Sequence, residues 1–186
     1  MPDPAMSEPV LELSTPLFGK TLGSRKDGSA IWLAALPQGA VLHVLAPSSG
    51  ATAMTAELTA LGAARSLTLR PAAPGQWYLL GDSELSAADI SALRTALAGK
   101  ADILDQSHAR ARILVGGSAV RRMLAKGVGL DLHPDLFAVG RSAATMIGHL
   151  SVLLTRTGTD DYEILVTRSF AEALWDDLET MAREYL

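Results

Sequence analysis

No cysteine occurs in the sequence. Disulfides, thiolate zinc sites, iron–sulfur clusters and cysteine nucleophiles are thereby excluded. No apolar run reaches the length of a membrane-spanning helix, about 18 residues or more. Lys and Arg number 16 against 20 Asp and Glu. A net charge of −4 does not favour binding to a phosphate backbone, so no nucleic-acid partner is expected. The opening MPDPAMSEPVLELSTPL carries acids and prolines where a leader peptide needs a basic end and an apolar core, so a cytoplasmic location is expected. A Gly-x-Ser-x-Gly elbow and the Lys-Ser/Thr of a P-loop are also missing.

What is present is a globular composition: 48% hydrophobic and 19% charged over 186 residues. That length suits one medium domain or two small units sharing a core. Residues 1–28 read as an arm, broken by Pro2, Pro4, Pro9 and Pro16. Its Val10, Leu11, Leu13, Leu17 and Phe18 are too apolar for a solvated tail, so the arm should pack on its own body or on a partner.

Residues 29–106 predict an α+β unit. SAIWLAAL (29–36) and AVLHVLA (40–46) read as strands joined by the turn Pro37-Gln38-Gly39. ATAMTAELTALG puts Met54, Leu58 and Leu61 on one helical face, with Gly62 as its stop. SLTLR (66–70) and QWYLLGD (76–82) are strands around the Pro71–Gly75 turn. Ser86 and Asp89 suggest a capping box for a helix with Ile90, Leu93 and Leu97 inward and Gly99 at its end. ADILDQS (101–107) is again a strand. From residue 40 to 106 the order β-α-β-β-α-β is the ferredoxin-like one.

Residues 107–186 predict a second unit, β-α-β-β-β-α. ARILVGG (111–117) is a strand, and SAVRRMLAKG (118–127) is a short helix with Val120, Met123 and Leu124 inward. SAATMIGHL, SVLLTR and YEILVTR are three strands. Residues 169–185 form a long helix, with Ser169 and Glu172 as a capping box. Its apolar stripe is Phe170, Leu174, Trp175, Leu178, Met181 and Tyr185. Arg110, Arg112, Arg121, Arg122 and Lys126 form a basic run. The last helix is acidic, with Glu172, Asp176, Asp177, Glu179 and Glu184 against Arg183. Such runs are solvated faces or docking surfaces.

Four places invite chemistry. In KGVGLDLHPDLF, Asp131, His133 and Asp135 alternate and would share one side of an extended chain, as metal ligands could. Pro134 breaks such a strand, and the simpler reading is that Asp131 ties off a turn. Gly127-Val128-Gly129 fails as a dinucleotide motif, because it ends a helix and lacks the third glycine. Gly116-Gly117-Ser118 follows a strand and opens a helix, so it could cradle an anion with Arg121 or Arg122, or simply cap the helix. Ser107 and His108 are neighbours on a strand and face opposite sides, so they do not form a nucleophile–base pair. No catalytic, cofactor or metal residue is assigned.

Three stretches carry a family resemblance: DQSHARARILVGGSAVRRMLAKGVGLDLHPDLF, GRSAATMIGHLSVLLTR and YEILVTRSFAEALWDDLETMAREY. Together, over about residues 102–186, they resemble the gamma subunit of heterotetrameric sarcosine oxidase. LDLHP and RSFAEALW are the most specific motifs, and they mark Asp131, His133, Pro134, Arg168, Phe170 and Trp175 as family-motif or partner-contact candidates. Val128 and Ser142 stand where cysteine would be expected in relatives. The same region is distantly similar to the folate-binding domain of glycine-cleavage aminomethyltransferases, through Asp105, Ser107, His108, Gly116 and Ala119. The resemblance implies a non-catalytic subunit of a four-chain enzyme. Such an enzyme demethylates sarcosine to glycine, with formaldehyde or methylene-tetrahydrofolate and hydrogen peroxide as products. FAD, FMN, NAD and tetrahydrofolate would belong to partner subunits: alpha as the main contact, with beta and delta. A subunit of a related N-methylglutamate dehydrogenase is an alternative. A freestanding folate-binding one-carbon-transfer module is another, with Asp105 or Asp131 as its pterin carboxylate.

Overall fold

The computed structural model describes residues 16–186. The predicted arm therefore lies partly outside the described residues, Val10, Leu11 and Leu13 among them. Of its described part, Leu17 is buried and Phe18 is 81% exposed. The segment then enters a two-residue strand, β1 (Thr21–Leu22), which pairs with β2 (Trp32–Ala35).

The ferredoxin-like unit forms as its periodicity indicates. It runs β3 (Val41–Leu45), α1 (Ala51–Ala63), β4 (Thr68–Ala73), β5 (Gln76–Leu80), α2 (Ala87–Ala96) and β6 (Asp102–Asp105). Its sheet order is β4-β5-β3-β6, antiparallel throughout. Ser86 caps α2 by accepting from the Asp89 N–H at 3.1 Å. Gly62 does not stop α1 but lies within it. A Cβ there would press on Leu79 of β5, so the glycine lets helix and sheet approach closely. The chain instead turns at Ser66, whose φ is 56°.

The second half runs β7 (Arg110–Gly116), α3 (Val120–Leu124), β8 (Ser142–Ile147), β9 (Leu150–Arg156), β10 (Asp161–Thr167) and α4 (Ala171–Ala182). Its sheet has six strands in the order β1-β2-β7-β10-β9-β8. β2 thus belongs here. The hairpin expected across Pro37–Gly39 does not form, because β2 pairs with β7 from Trp32↔Gly116 to Ala35↔Ile113. The local turn signal was outweighed by burial, since Ile31, Trp32 and Leu33 are all in the core.

The strand order β2-β7-β10-β9 repeats β6-β3-β5-β4 with the same antiparallel sense. A helix follows β7 and another follows β10, as α1 follows β3 and α2 follows β5. The molecule is therefore a structural duplication in which the edge strand of the second unit is supplied by residues that precede the first.

The two sheets face each other, and each carries its helices on the outside. Leu58, Leu93 and Leu97 pack with Leu42, Val44, Trp77 and Leu79 on the smaller sheet. Val120, Met123, Leu174, Trp175 and Leu178 pack with Ile113, Val115, Leu154, Ile164 and Val166 on the larger. Between the sheets the apolar contact is small: Val41, Tyr78, Leu80, Leu153 and Leu165.

Two expectations for α4 are corrected. Residues 168–170 form a turn of 3-10 helix, and no side-chain cap is made at the start of α4, so the Ser169/Glu172 box is absent. Phe170 is 49% exposed rather than part of the inward stripe. Ala171, Leu174, Trp175, Leu178 and Ala182 form the buried face.

Candidate functional site

The space between the sheets holds the main concentration of charge. On β7, Arg110 and Arg112 alternate and so project the same way, and Glu163 of β10 projects with them. Glu163 is buried between two guanidinium groups. Arg112 Nε donates to its Oε1 at 2.7 Å and Arg70 Nη2 donates to its Oε2 at 3.0 Å. Arg112 also donates to the Gly81 carbonyl at 2.9 Å and pairs with Asp82 at 2.9 Å. This network joins β4, β7, β10 and the loop after β5, and so fastens one sheet to the other.

Arg110 sits in the same layer. It donates to Gln106 Oε1 at 2.9 Å, Thr167 Oγ1 at 3.2 Å and Tyr78 OH at 3.0 Å. His43 stacks on Tyr78 with ring centroids 4.5 Å apart and 11° between planes. Burial holds the His43 pKa below its ordinary value, with Arg110 adding to the effect, while burial raises that of Tyr78. The His43 Nε2 is buried and has no hydrogen-bond partner among the described residues.

Beneath this layer, a cavity lined by Pro16, Leu17, Gln38, Ser107, Arg110 and Arg168 holds only about 20 Å³, room for one water molecule. Asp105, a proposed pterin carboxylate, is occupied: its Oδ1 accepts from the Ser107 N–H at 2.9 Å and the Ser107 hydroxyl at 2.6 Å. The Ser107 hydroxyl oxygen accepts from the Val41 N–H at 3.0 Å. Ser107 is thus a buried joint between β3 and the loop after β6, while His108 points to solvent.

The LDLHP loop is a turn. Asp131 Oδ1 accepts from the His133 N–H at 2.8 Å, and the His133 carbonyl accepts from the Phe137 N–H at 2.8 Å. His133 and Asp135 lie on the surface, 3.5 Å apart. Pro134 is half-buried between them. Among the described residues no three side chains of ligating type gather as a metal site. Leu132 and Phe137 anchor the loop in the core. Arg156, itself buried, ties it to the β9–β10 turn by donating to the carbonyl of Phe137 at 2.9 Å and to those of Gly158 at 3.1 Å and Thr159 at 2.7 Å. Replacing Arg156 with Leu leaves three carbonyls without their donor. We expect a loss of about 2–4 kcal/mol, read as a lower urea midpoint with unchanged slope.

Gly116-Gly117-Ser118 does not cradle an anion. The N–H groups of Gly117, Ala119 and Val120 donate to the carbonyls of Asp160, Ala30 and Gly117. The glycines serve packing instead. A Cβ on Gly116 would collide with the Trp32 ring, and one on Gly117, whose φ is 115°, with the Ala30 carbonyl. Ser118 makes no cap to α3, which starts after Ala119. The basic run of α3 meets the acidic end of the chain: Lys126 pairs with Glu184 at 2.8 Å, and Arg122 lies over the Tyr185 ring at 5.6 Å. Of the remaining motif residues, Trp175 is 1% exposed, and its indole N–H donates to Glu179. Arg168 is half-buried beside the small cavity, where its N–H donates to the Ala109 carbonyl at 2.9 Å.

Residues 39–184 match the model of the sarcosine oxidase, gamma subunit family. The chain belongs to that family. Sarcosine oxidase subunit gamma of Corynebacterium sp. strain U-96 is 39% identical over 70 residues, which is 38% of this chain and 34% of that protein. The aligned stretch thus spans about a third of this gamma-subunit relative. A chain of heterotetrameric sarcosine oxidase from Corynebacterium sp. U-96 superposes with a TM-score of 0.72 at 24% identity, covering 85% of this chain and 86% of that one. Aminomethyltransferase T of the glycine cleavage system from Bartonella henselae superposes at 0.56 with 17% identity, over 78% of this chain and 44% of that one. The gamma-subunit fold is therefore the α+β fold that the aminomethyltransferase also uses. The sequence motifs pointed to the family. They gave no sign of the Arg70–Glu163–Arg112 layer, for which the one available signal was the shared strand parity of Arg110, Arg112 and Glu163.

Proposed function

We propose that this chain is the non-catalytic gamma subunit of a heterotetrameric sarcosine oxidase. The enzyme's oxidative demethylation of sarcosine would be carried by partner subunits holding FAD, FMN, NAD and tetrahydrofolate. The observation that carries this reading is the family match over residues 39–184. The way the candidate polar groups are used also supports it. Asp105 and Asp131 are spent on turns, and Glu163 on two arginines. On this reading Asp131, His133 and Pro134 shape a partner-facing loop, beside which Leu136 and Val139 are more than half exposed. Arg168 and Phe170 form a second contact, and Trp175 holds α4 in place from within. The alpha subunit is the main partner, with beta and delta in the same cytoplasmic assembly.

The test mixes the purified chain with the sarcosine oxidase alpha subunit of the same organism and measures mass by light scattering during gel filtration. A 1:1 species is expected, and no heat is expected when the chain alone is titrated with tetrahydrofolate at submillimolar concentration. Sarcosine turnover by the isolated chain, or saturable folate binding, would overturn the proposal. Folate binding would favour the freestanding one-carbon module.

A further inference from the structure

We propose that Arg110 is a docking site for a carboxylate side chain of the alpha-type partner, received in the groove between the edges of the two sheets. This inference rests on the gamma-subunit reading above. Three arginines enter the layer between the sheets, and two of them, Arg70 and Arg112, share Glu163. Arg110 differs. Its three hydrogen bonds go to an amide, a hydroxyl and a phenol, and among the described residues no carboxylate lies within the 4.0 Å of an ion pair. A guanidinium has five N–H donors, so two remain for a further acceptor. His43, stacked on the Tyr78 ring, is neutral or cationic in either protonation state and supplies no counter-charge. A half-buried cation without an anion carries a desolvation cost that a carboxylate would offset.

Arg110 opens into a groove of about 190 Å³ whose wall includes Tyr78, Gln76, Ala72, Ala144 and Leu153. The space is ample for one carboxylate side chain. The alanines leave it open on the flank where β4 and β8 meet. On the larger sheet Arg110 pairs with Thr167, and Ser151, which lines the groove, pairs with Met146, a methionine that is 47% exposed. Phe170, three residues beyond Thr167, is exposed at the same end of the sheet. A cation flanked by exposed Met and Phe is the composition of an interface anchor, not of a solvated surface.

The test measures the affinity of the full chain for the alpha subunit in three variants, with thermal melting to verify the fold. Arg110→Gln should weaken binding roughly 10- to 100-fold and reduce its dependence on salt. Ala144→Glu, an exposed position in the same groove, puts a carboxylate of the chain's own into that groove, and should weaken binding to a similar degree while the fold persists. Ala92→Ser, exposed on α2 and outside the groove, should leave affinity unchanged. If the wild-type chain binds alpha and both groove variants bind equally well, the docking site is overturned and the gamma-subunit reading stands. If the wild-type chain does not bind alpha, both fall. If N-acetylglutamate raises the melting temperature of the wild type but not of Arg110→Gln, while binding to alpha is unaffected by either groove variant, the site takes a free carboxylate and the docking proposal is overturned.

Discussion

Glu163→Ala should destabilise the chain by about 3–5 kcal/mol, because it leaves Arg70 and Arg112 facing each other between the sheets without their anion. The side chains of both arginines are largely buried, so water cannot screen them as it would at the surface. The gain that Glu163 makes over a neutral residue comes from compensating charges already committed to the interior. A control follows from that. Replacing Glu163, Arg70 and Arg112 together with Leu, Met and Met removes all three charges and keeps the volume. Asp82 is exposed and returns to water. The triple variant should be near wild type in a urea melt, or above it, although Glu163→Ala alone is severe. A triple variant no better than the single one would show that the network acts through geometry and not through charge balance.

Trp175→Ala should cost a comparable amount, about 3–5 kcal/mol, by a different route. Trp175 is among the largest fully buried side chains and lies where α4 meets the larger sheet. Its removal leaves a void walled by strands that are paired on both sides and cannot collapse into it. Trp175→Phe keeps most of the apolar surface and loses the hydrogen bond to Glu179, so it should lose about 1–2 kcal/mol. Thermal melts of the two variants distinguish packing from the indole N–H. Equal losses would place the whole effect on the hydrogen bond.

The first unit was legible because most of its elements carried a local mark, although Gly62 proved to lie inside α1. Leu93 and Leu97 recur at helical spacing, Ser86 caps, and Gly99 closes. The sheet to which β2 belongs was not legible, because its partner lies far along the chain and the nearer turn at Pro37–Gly39 looked sufficient. The α4 stripe was read correctly at Leu174, Trp175 and Leu178. It failed at Phe170, since the chain enters the helix through a 3-10 turn that rotates Phe170 outward. The charged layer failed for another reason. Glu163 in YEILVTR reads as the polar face of a half-exposed strand, and only a second sheet laid across that face makes it interior. The LDLHP motif was read rightly as a turn because Asp131 two residues before an N–H is a local device.

The placement of β2 bears on how the chain is made. A polypeptide leaving the ribosome has the smaller sheet complete once Asp105 has emerged, since residues 41–105 contain all four of its strands. The larger sheet cannot begin to close until β7 arrives to meet Trp32–Ala35, and it is finished only after β10 and α4. Throughout that interval an apolar strand with Ile31, Trp32 and Leu33 waits with only the two-residue β1 beside it and its long edge towards β7 unpaired. Nascent chains halted before residue 110 should therefore be the ones that chaperones hold and proteases cut.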